Sequence, residues 1–372
     1  MGYSDNTKQS VLSNISINAV ELLNRYDNFF IYYEHIGEPD FNSDILKKIY
    51  DECVNIELDI NNILIVNGTN SNNLINLDFK EKYGVESNMR LLTYNWPIPF
   101  KALEIRSVRG IEPNKDSEKS TIADISHIHL KKSKKALFLN RRLRYHRLLS
   151  LCLLENLNLL DNMLYSFDLS QNMYDNLNDM ILDDVTHHNP IYITDEINKD
   201  KILNGFSSLQ RKKKSILDFD DLSSVHGYGM ETKELYEQTF FSIVSETEFN
   251  LFTQSFTEKI MKPIQHCHPF VLIGSPYILK TLKRYGFKTF SNWWDESYDN
   301  IEDNETRLIN VIDLIESLTN KSDDEWNAML LDMEDTLLHN QNILLSYGED
   351  KLNNILLKNI KRAIKYNGNT IL

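Results

Sequence analysis

Cysteine is scarce in this chain, with three among 372 residues, at Cys53, Cys152 and Cys267. So few and so scattered, they exclude a disulfide framework. With no Cys-x-x-Cys set, the histidine pairs His127/His129, His187/His188 and His266/His268 lack partners to complete a tetrahedral zinc site. Structural or surface roles are expected of these histidines, and no metal. Long apolar runs are also missing: Ala136–Leu139 and Leu148–Leu154 fall far short of the ~20 residues of a membrane-spanning helix. The first residues lack the basic-then-apolar order of a secretory signal, and Asn6 stands where a myristoylation signal wants Ser or Thr. A reducing, cytoplasmic location is the expectation. There is no basic surplus, because 40 Lys and Arg against 54 Asp and Glu give a formal charge of −14. A polyanion must therefore meet a local basic patch, such as Lys131–Lys135 or Arg211–Lys214. Walker-type, GxGxxG and GxSxG motifs are absent, which removes ordinary P-loop, dehydrogenase and α/β-hydrolase readings.

What is present is a composition of 41% hydrophobic and 25% charged residues, enough for two ordinary domains. Apolar runs of strand length at Phe29–Tyr33, Ile63–Val66 and Arg90–Asn95 flank a helical pattern over Ser43–Val54. The third run stops at Pro97 and Pro99, which cannot donate to a ladder. Continuous apolar strands separated by a helix imply a parallel sheet covered on both faces. Polar, breaker-rich Glu112–Ser120 reads as a linker, ending a first domain near residue 130. A second β-α series follows. It comprises strand Lys135–Asn140, helix Arg141–Leu160, strand Thr239–Val244, helix Glu258–Gln265, strand Phe270–Ile273 and helix Leu279–Tyr285 with Gly286 at C′. Residues Gln171–Leu235 show no clear order. Thr306–Leu318, Asp323–Leu345 and Asp350–Tyr366 read as helices. The expected division is 1–130, 131–320 and a helical tail 321–372 that packs back on the first domain.

Three constellations carry chemistry. In Asn140-Arg141-Arg142-Leu143-Arg144-Tyr145-His146-Arg147, four arginines gather where a strand gives way to a helix, and a helix N-terminus attracts anions. The alternative is a solvated basic face. In the second, Glu246 closes a strand while Thr257, Glu258 and Lys259 open a helix. A carboxylate there can accept ribose hydroxyls and a lysine can balance pyrophosphate, or Thr257-Glu258 is only a helix-start signal. The third, Trp293–Asp299, sets aromatic rings beside Asp295, Glu296 and Asp299, as in a sugar site or in a packed inter-domain corner with solvated acids. The Asp-x-Asp triplet Asp218-Phe219-Asp220 lies in the unordered middle.

The order acidic residue, aromatic-Thr-Glu-Lys, Pro-apolar-apolar-apolar-Gly over residues 246–274 resembles the donor-binding half of the α1,3-fucosyltransferase family. The Asn140 and arginine segment is similar to that family's Asn-and-Arg donor segment. The segments over 140–147, 257–270 and 286–299 resemble, more closely still, glycosyltransferase-like proteins of phages and large viruses. The resemblance implies an α/β, GT-B-like fold with two Rossmann-like domains facing a central cleft. It also implies a metal-independent glycosyltransferase of viral or phage origin, using a UDP- or GDP-linked sugar as co-substrate and no resident cofactor. The acceptor would be a glycan, a protein or a modified DNA base. Asn140, Arg142, Arg144, Arg147, Glu246, Thr257, Glu258 and Lys259 would surround the donor. Glu34 and His35, just beyond the first strand, are the candidate catalytic base by placement. Ser245-Glu246-Thr247 departs from the family's usual Phe-Glu-Asn-like triplet, so donor identity does not transfer. The competing reading is a non-catalytic nucleotide-binding or interaction module of the same shape.

Overall fold

A computed structural model describes residues 12, 15–26, 31–35, 41–70, 72–94, 98, 123–140, 144–169, 193–215, 217, 233–249, 254–347 and 349–365. The fold is mixed α/β with parallel sheets and a helical C-terminal region. It divides into two compact units, one of 1–96, 252–255 and 350–372, the other of 97–251 and 256–349.

The first unit begins with α1 (Ile17–Arg25) and holds a three-stranded parallel sheet of β1 (Ile31–His35), β2 (Ile63–Asn67) and β3 (Arg90–Thr93), in that order. Helices α2 (Ser43–Asn55) and α3 (Asn72–Tyr83) connect the strands. All five residues of β2 are buried because successive side chains find cover on opposite faces. Ile63 and Ile65 join Phe41, Leu46, Ile49, Ile75 and Phe79. Leu64 and Val66, with Leu92, are covered by Leu356 and Ile360 of the last helix, Glu349–Lys365. Phe29 and Phe30 of the expected run lie outside the described residues, and β1 reaches His35, since parallel pairing with Val66 and Asn67 continues through Glu34 and His35. Those two residues thus end the strand instead of following it.

The second unit is built on a five-stranded sheet of order β6-β5-β4-β7-β8. Its strands are β4 (Lys134–Leu139), β5 (Met163–Asp168), β6 (Lys214–Ser215), β7 (Thr239–Ser245) and β8 (Phe270–Ile273). All pairings are parallel except that of the edge strand β6. The helices are α4 (Tyr145–Asn156), α5 (Glu196–Lys212), α6 (Lys233–Glu237), α7 (Glu258–Gln265), α8 (Ile278–Arg284), α9 (Asn304–Thr319) and α10 (Asp323–Ser346). The remaining helix, α11 (Glu349–Lys365), carries the Leu356 and Ile360 already placed in the first unit. Gly286 follows α8 at φ 90°, the left-handed conformation expected of a C′ glycine. α5, in the stretch whose order the sequence hides, packs so closely on α4 that Gly205 lies against the Cys152 carbonyl. Residues 101–120, 170–192 and 218–232, with the expected linker and the Asp-x-Asp triplet, lie outside the described residues.

Candidate functional site

From β4 the chain crosses to β5 on one side, and later places β7 on the other side of β4. The carboxyl ends of β4 and β7 therefore form a topological switch point, where open α/β sheets leave a crevice for ligands. Asn140 follows β4 and Ser245 ends β7. Continuing the register Phe138↔Ile243 by two residues sets them level. The Asn140 N–H donates to the carbonyl and hydroxyl oxygens of Ser166 on β5, both at 3.1 Å. Its side chain is 1% exposed and that of Ser245 3%. Among the described residues, neither the Asn140 amide nor the Ser245 hydroxyl has a hydrogen-bond partner.

α4 starts at the same edge. Its N-cap, Arg144, supplies no side-chain cap, and the first turn holds no acidic residue, so the positive end of the helix is unneutralised from within. Arg144 is half-exposed and sits 3.7 Å from the buried carboxylate of Glu248. Arg147 points inward, its Nη2 donating to the Glu246 carbonyl at 2.9 Å. His146 donates Nε2–H to the same carbonyl at 2.9 Å, the acceptor fixing the tautomer. Burial, then repulsion from Arg144, draws the Arg147 guanidinium down to about 10. Burial also holds His146 neutral, far below the usual histidine range. The His146 ring stacks on Phe249, over which Arg307 lies at 4.2 Å. Arg307 donates to the carbonyls of Phe249, Gly274 and Ile301 and ties this edge to α9. No local motif marks Arg307, because it meets Phe249 and Gly274 only through the fold.

Glu246 immediately follows β7, and its carboxylate is spent on α7. It accepts from the N–H groups of Thr257 (3.2 Å) and Ile260 (3.3 Å) and from the Thr257 hydroxyl, and is 0% exposed. Burial raises its pKa, against the pull of Lys259. The expectation that it accepts ribose hydroxyls gives way to a cap, since both oxygens already serve the start of the helix. Thr257 is the N-cap, its hydroxyl accepting from Lys259 N at 3.3 Å. Lys259 Nζ donates to Glu258 at 2.7 Å and to Thr247 at 3.3 Å. Burial pushes the Glu258 carboxyl up, but Lys259 and Lys262 together override it and hold the group at about 2. Burial lowers the Lys259 ammonium.

The second unit thus brings together Asn140, Arg144, Arg147, Glu246, Thr257, Glu258 and Lys259, and adds Ser245, Glu248 and Arg307. Arg142 lies outside the described residues. Glu34 and His35 belong to the first unit, at the carboxyl end of β1. The Trp293–Asp299 corner lies within the second unit, and two of its acids are not solvated. Glu296 accepts from Phe290 N and the Thr289 hydroxyl, and Asp299 accepts from Leu279 N and Lys280 N at the start of α8. Trp294 is buried against Phe290. Among the described residues, no group of three or more His, Cys, Asp and Glu is placed to hold a metal ion, and no helix is long and apolar enough to cross a membrane. No family profile and no curated protein matches the chain.

The histidines away from the crevice form a buried knot. His127 donates Nε2–H to the Cys267 carbonyl, and its Nδ1 lies 3.1 Å from the Lys132 ammonium. His268 receives Ser242 Oγ–H and donates to the Thr239 carbonyl. Burial, then Lys132, holds His127 down at about 4. A histidine whose folded pKa is depressed binds its proton more readily when unfolded. Its stability contribution is therefore complete above the unfolded value of about 6.5 and is lost as pH falls toward about 4. The loss expected from His127 alone is on the order of 3 kcal/mol. Melting temperature measured from pH 7 to pH 4 should fall steeply through this window. A flat profile would exclude a neutral His127 in the folded state.

Proposed function

We propose that the chain is a glycosyltransferase whose second unit binds a nucleoside-diphosphate sugar at the β4/β7 switch point. The observation that carries this reading is the start of α4: an acid-free first turn whose N-cap, Arg144, gives no side-chain cap, beside the buried Asn140 amide and Ser245 hydroxyl, which have no hydrogen-bond partner among the described residues. Such an end offers a positive dipole to a diphosphate, and the half-exposed Arg144 adds a fork of donors. The two units, each with a parallel sheet, support assignment to the GT-B class. Charge growing on the departing diphosphate would be met by Arg144 and the helix end, the preorganised arrangement that speeds such transfers. Arg147 and Lys259 act behind them. Arg147 fixes α4 to Glu246, and Lys259 is engaged with Glu258. On the acceptor side, Glu34 is the proposed base at the end of β1, and unimpaired turnover of Glu34→Gln would remove it from that role.

The first experiment is a thermal-shift series with UDP, GDP, CDP and ADP and their sugar conjugates. A ligand at 100 times its Kd stabilises the native state by about 2.7 kcal/mol, a rise of roughly 5–10 °C for a domain of this size. Arg144 is half-exposed, so Arg144→Ala should leave the unliganded melting temperature unchanged while weakening binding roughly 10- to 100-fold. Stabilisation by none of the nucleotides defeats the proposal. Binding without hydrolysis or transfer to any acceptor favours the non-catalytic module.

A further inference from the structure

Asn140 and Ser245 stand out at this edge against Ser166, Glu246 and Arg307, whose polar groups are engaged. The Ser166 hydroxyl accepts from Asn140 N, Glu246 caps α7, and Arg307 is spent on carbonyls. Native structures rarely leave a buried amide or hydroxyl without a partner. Here two such groups lie at the carboxyl ends of the neighbouring β4 and β7, each two residues beyond the Phe138↔Ile243 pair, at the point where the topology opens a crevice. Their chemistry differs from that of the helix end. An amide offers two N–H donors and a carbonyl acceptor, and a hydroxyl offers one donor and two acceptor sites, with no charge on either. A phosphate, which only accepts, would leave the amide carbonyl and the acceptor sites of the hydroxyl unused. They complement a neutral group that both donates and accepts.

We infer that Asn140 and Ser245 form a paired seat for a neutral donor-and-acceptor group of the ligand, the chemistry shared by a vicinal diol of a sugar and the amide edge of a nucleobase. The inference rests on the reading that this crevice binds a nucleoside-diphosphate sugar. The crevice then divides the labour: the α4 start and Arg144 take the charge, and the seat sets specificity. The seat is preformed on two strand ends, held by the sheet and by the Asn140–Ser166 bond. Selectivity follows because a ligand lacking the group leaves the pair unsatisfied. Ser245 carries no such expectation from its motif position. It is found only by its burial and missing partner.

The test is calorimetric titration of the full chain with inorganic pyrophosphate, UDP, GDP, UDP-glucose and GDP-fucose, using wild type, Ser245→Ala, Asn140→Ala and Asn140→Leu, the last keeping the branched shape of the side chain without its polar atoms. Expected are pyrophosphate affinities within about twofold of wild type and a loss of about 10-fold per variant for the preferred nucleotide ligand. Loss with UDP or GDP itself places the base or ribose in the seat, and loss confined to a sugar conjugate places the transferred sugar there. Since neither group has a hydrogen-bond partner among the described residues, Ser245→Ala should not lower the unliganded melting temperature. A fall would mark a structural tie and overturn the seat. Wild-type affinity for every ligand in both Ser245→Ala and Asn140→Leu also overturns it and leaves the nucleotide site standing. A wild-type chain that binds neither pyrophosphate nor any nucleotide removes the site and the seat together.

Discussion

Glu246→Ala is expected to lower the melting temperature of the second unit by roughly 10 °C, the largest effect of a single side-chain truncation near the crevice. The carboxylate is 0% exposed and accepts from Thr257 N, Ile260 N and the Thr257 hydroxyl. Alanine leaves those donors buried without an acceptor, at about 1–3 kcal/mol for each group left unsatisfied, on top of the roughly 1 kcal/mol of a lost cap. A total on the order of 4 kcal/mol corresponds to the stated shift at roughly 2–4 °C per kcal/mol. Glu246→Gln should fall between, because its amide nitrogen cannot accept from a helix N–H. The main-chain carbonyl of the same residue anchors His146 and Arg147, so loosening this turn also loosens the start of α4. Nucleotide binding should therefore weaken together with stability. In Arg144→Ala, by contrast, binding weakens alone. Thermal unfolding with and without nucleotide separates the two, and an unchanged melting point in Glu246→Ala would refute the capping role.

Gly205→Ala should destabilise the same unit by an amount of similar order. A Cβ at Gly205 would lie 1.9 Å from the Cys152 carbonyl oxygen, 2.6 Å from its carbon and 2.9 Å from Cα, all backbone atoms of α4. No side-chain rotation relieves this, so α4 and α5 must separate. Alanine would gain about 1 kcal/mol of intrinsic helix preference over glycine. Overpacking a tight helix contact costs about 1–3 kcal/mol and occasionally more, and a clash with backbone falls at the upper end. The net expectation is a loss on the order of 2 kcal/mol, or roughly 4–8 °C. Because α4 carries Arg144 and Arg147, nucleotide affinity should drop as well, although Gly205 belongs to α5 and not to the crevice edge. A melting temperature equal to or above wild type would show that the helices part without cost.

Several elements could be read directly from the chain because their signals are local. Phe270–Ile273 and Glu258–Gln265 occupy the ranges expected, the first from a continuous apolar run ended by Gly274, the second from the Thr257-Glu258 start. β2 was legible for the same reason, an apolar run buried on both faces. α1, α3 and α5 give no such local signal, and α3 and α5 are polar over most of their surface. In α3 only Ile75 and Phe79 are fully buried, and α5 owes its close seat to one glycine whose need for space lies in another helix. Glu34 and His35 belong to β1 and not beyond it because the strand's far end is set by its partner strand and not by its own apolar run.

The sequence by itself determined the alternation of strands and helices, and the arginines and carboxylates that collect at two strand ends, since propensity, capping and apolar period act over a few residues. Which of those charges could meet a ligand was decided by the tertiary structure. Strand order put β4 beside β7, turned Glu246 inward to cap α7, drew Arg307 across from α9 and left Asn140 and Ser245 buried without partners among the described residues. Those outcomes depend on desolvation and on neighbours distant in the chain, and neither is visible at the scale of a motif.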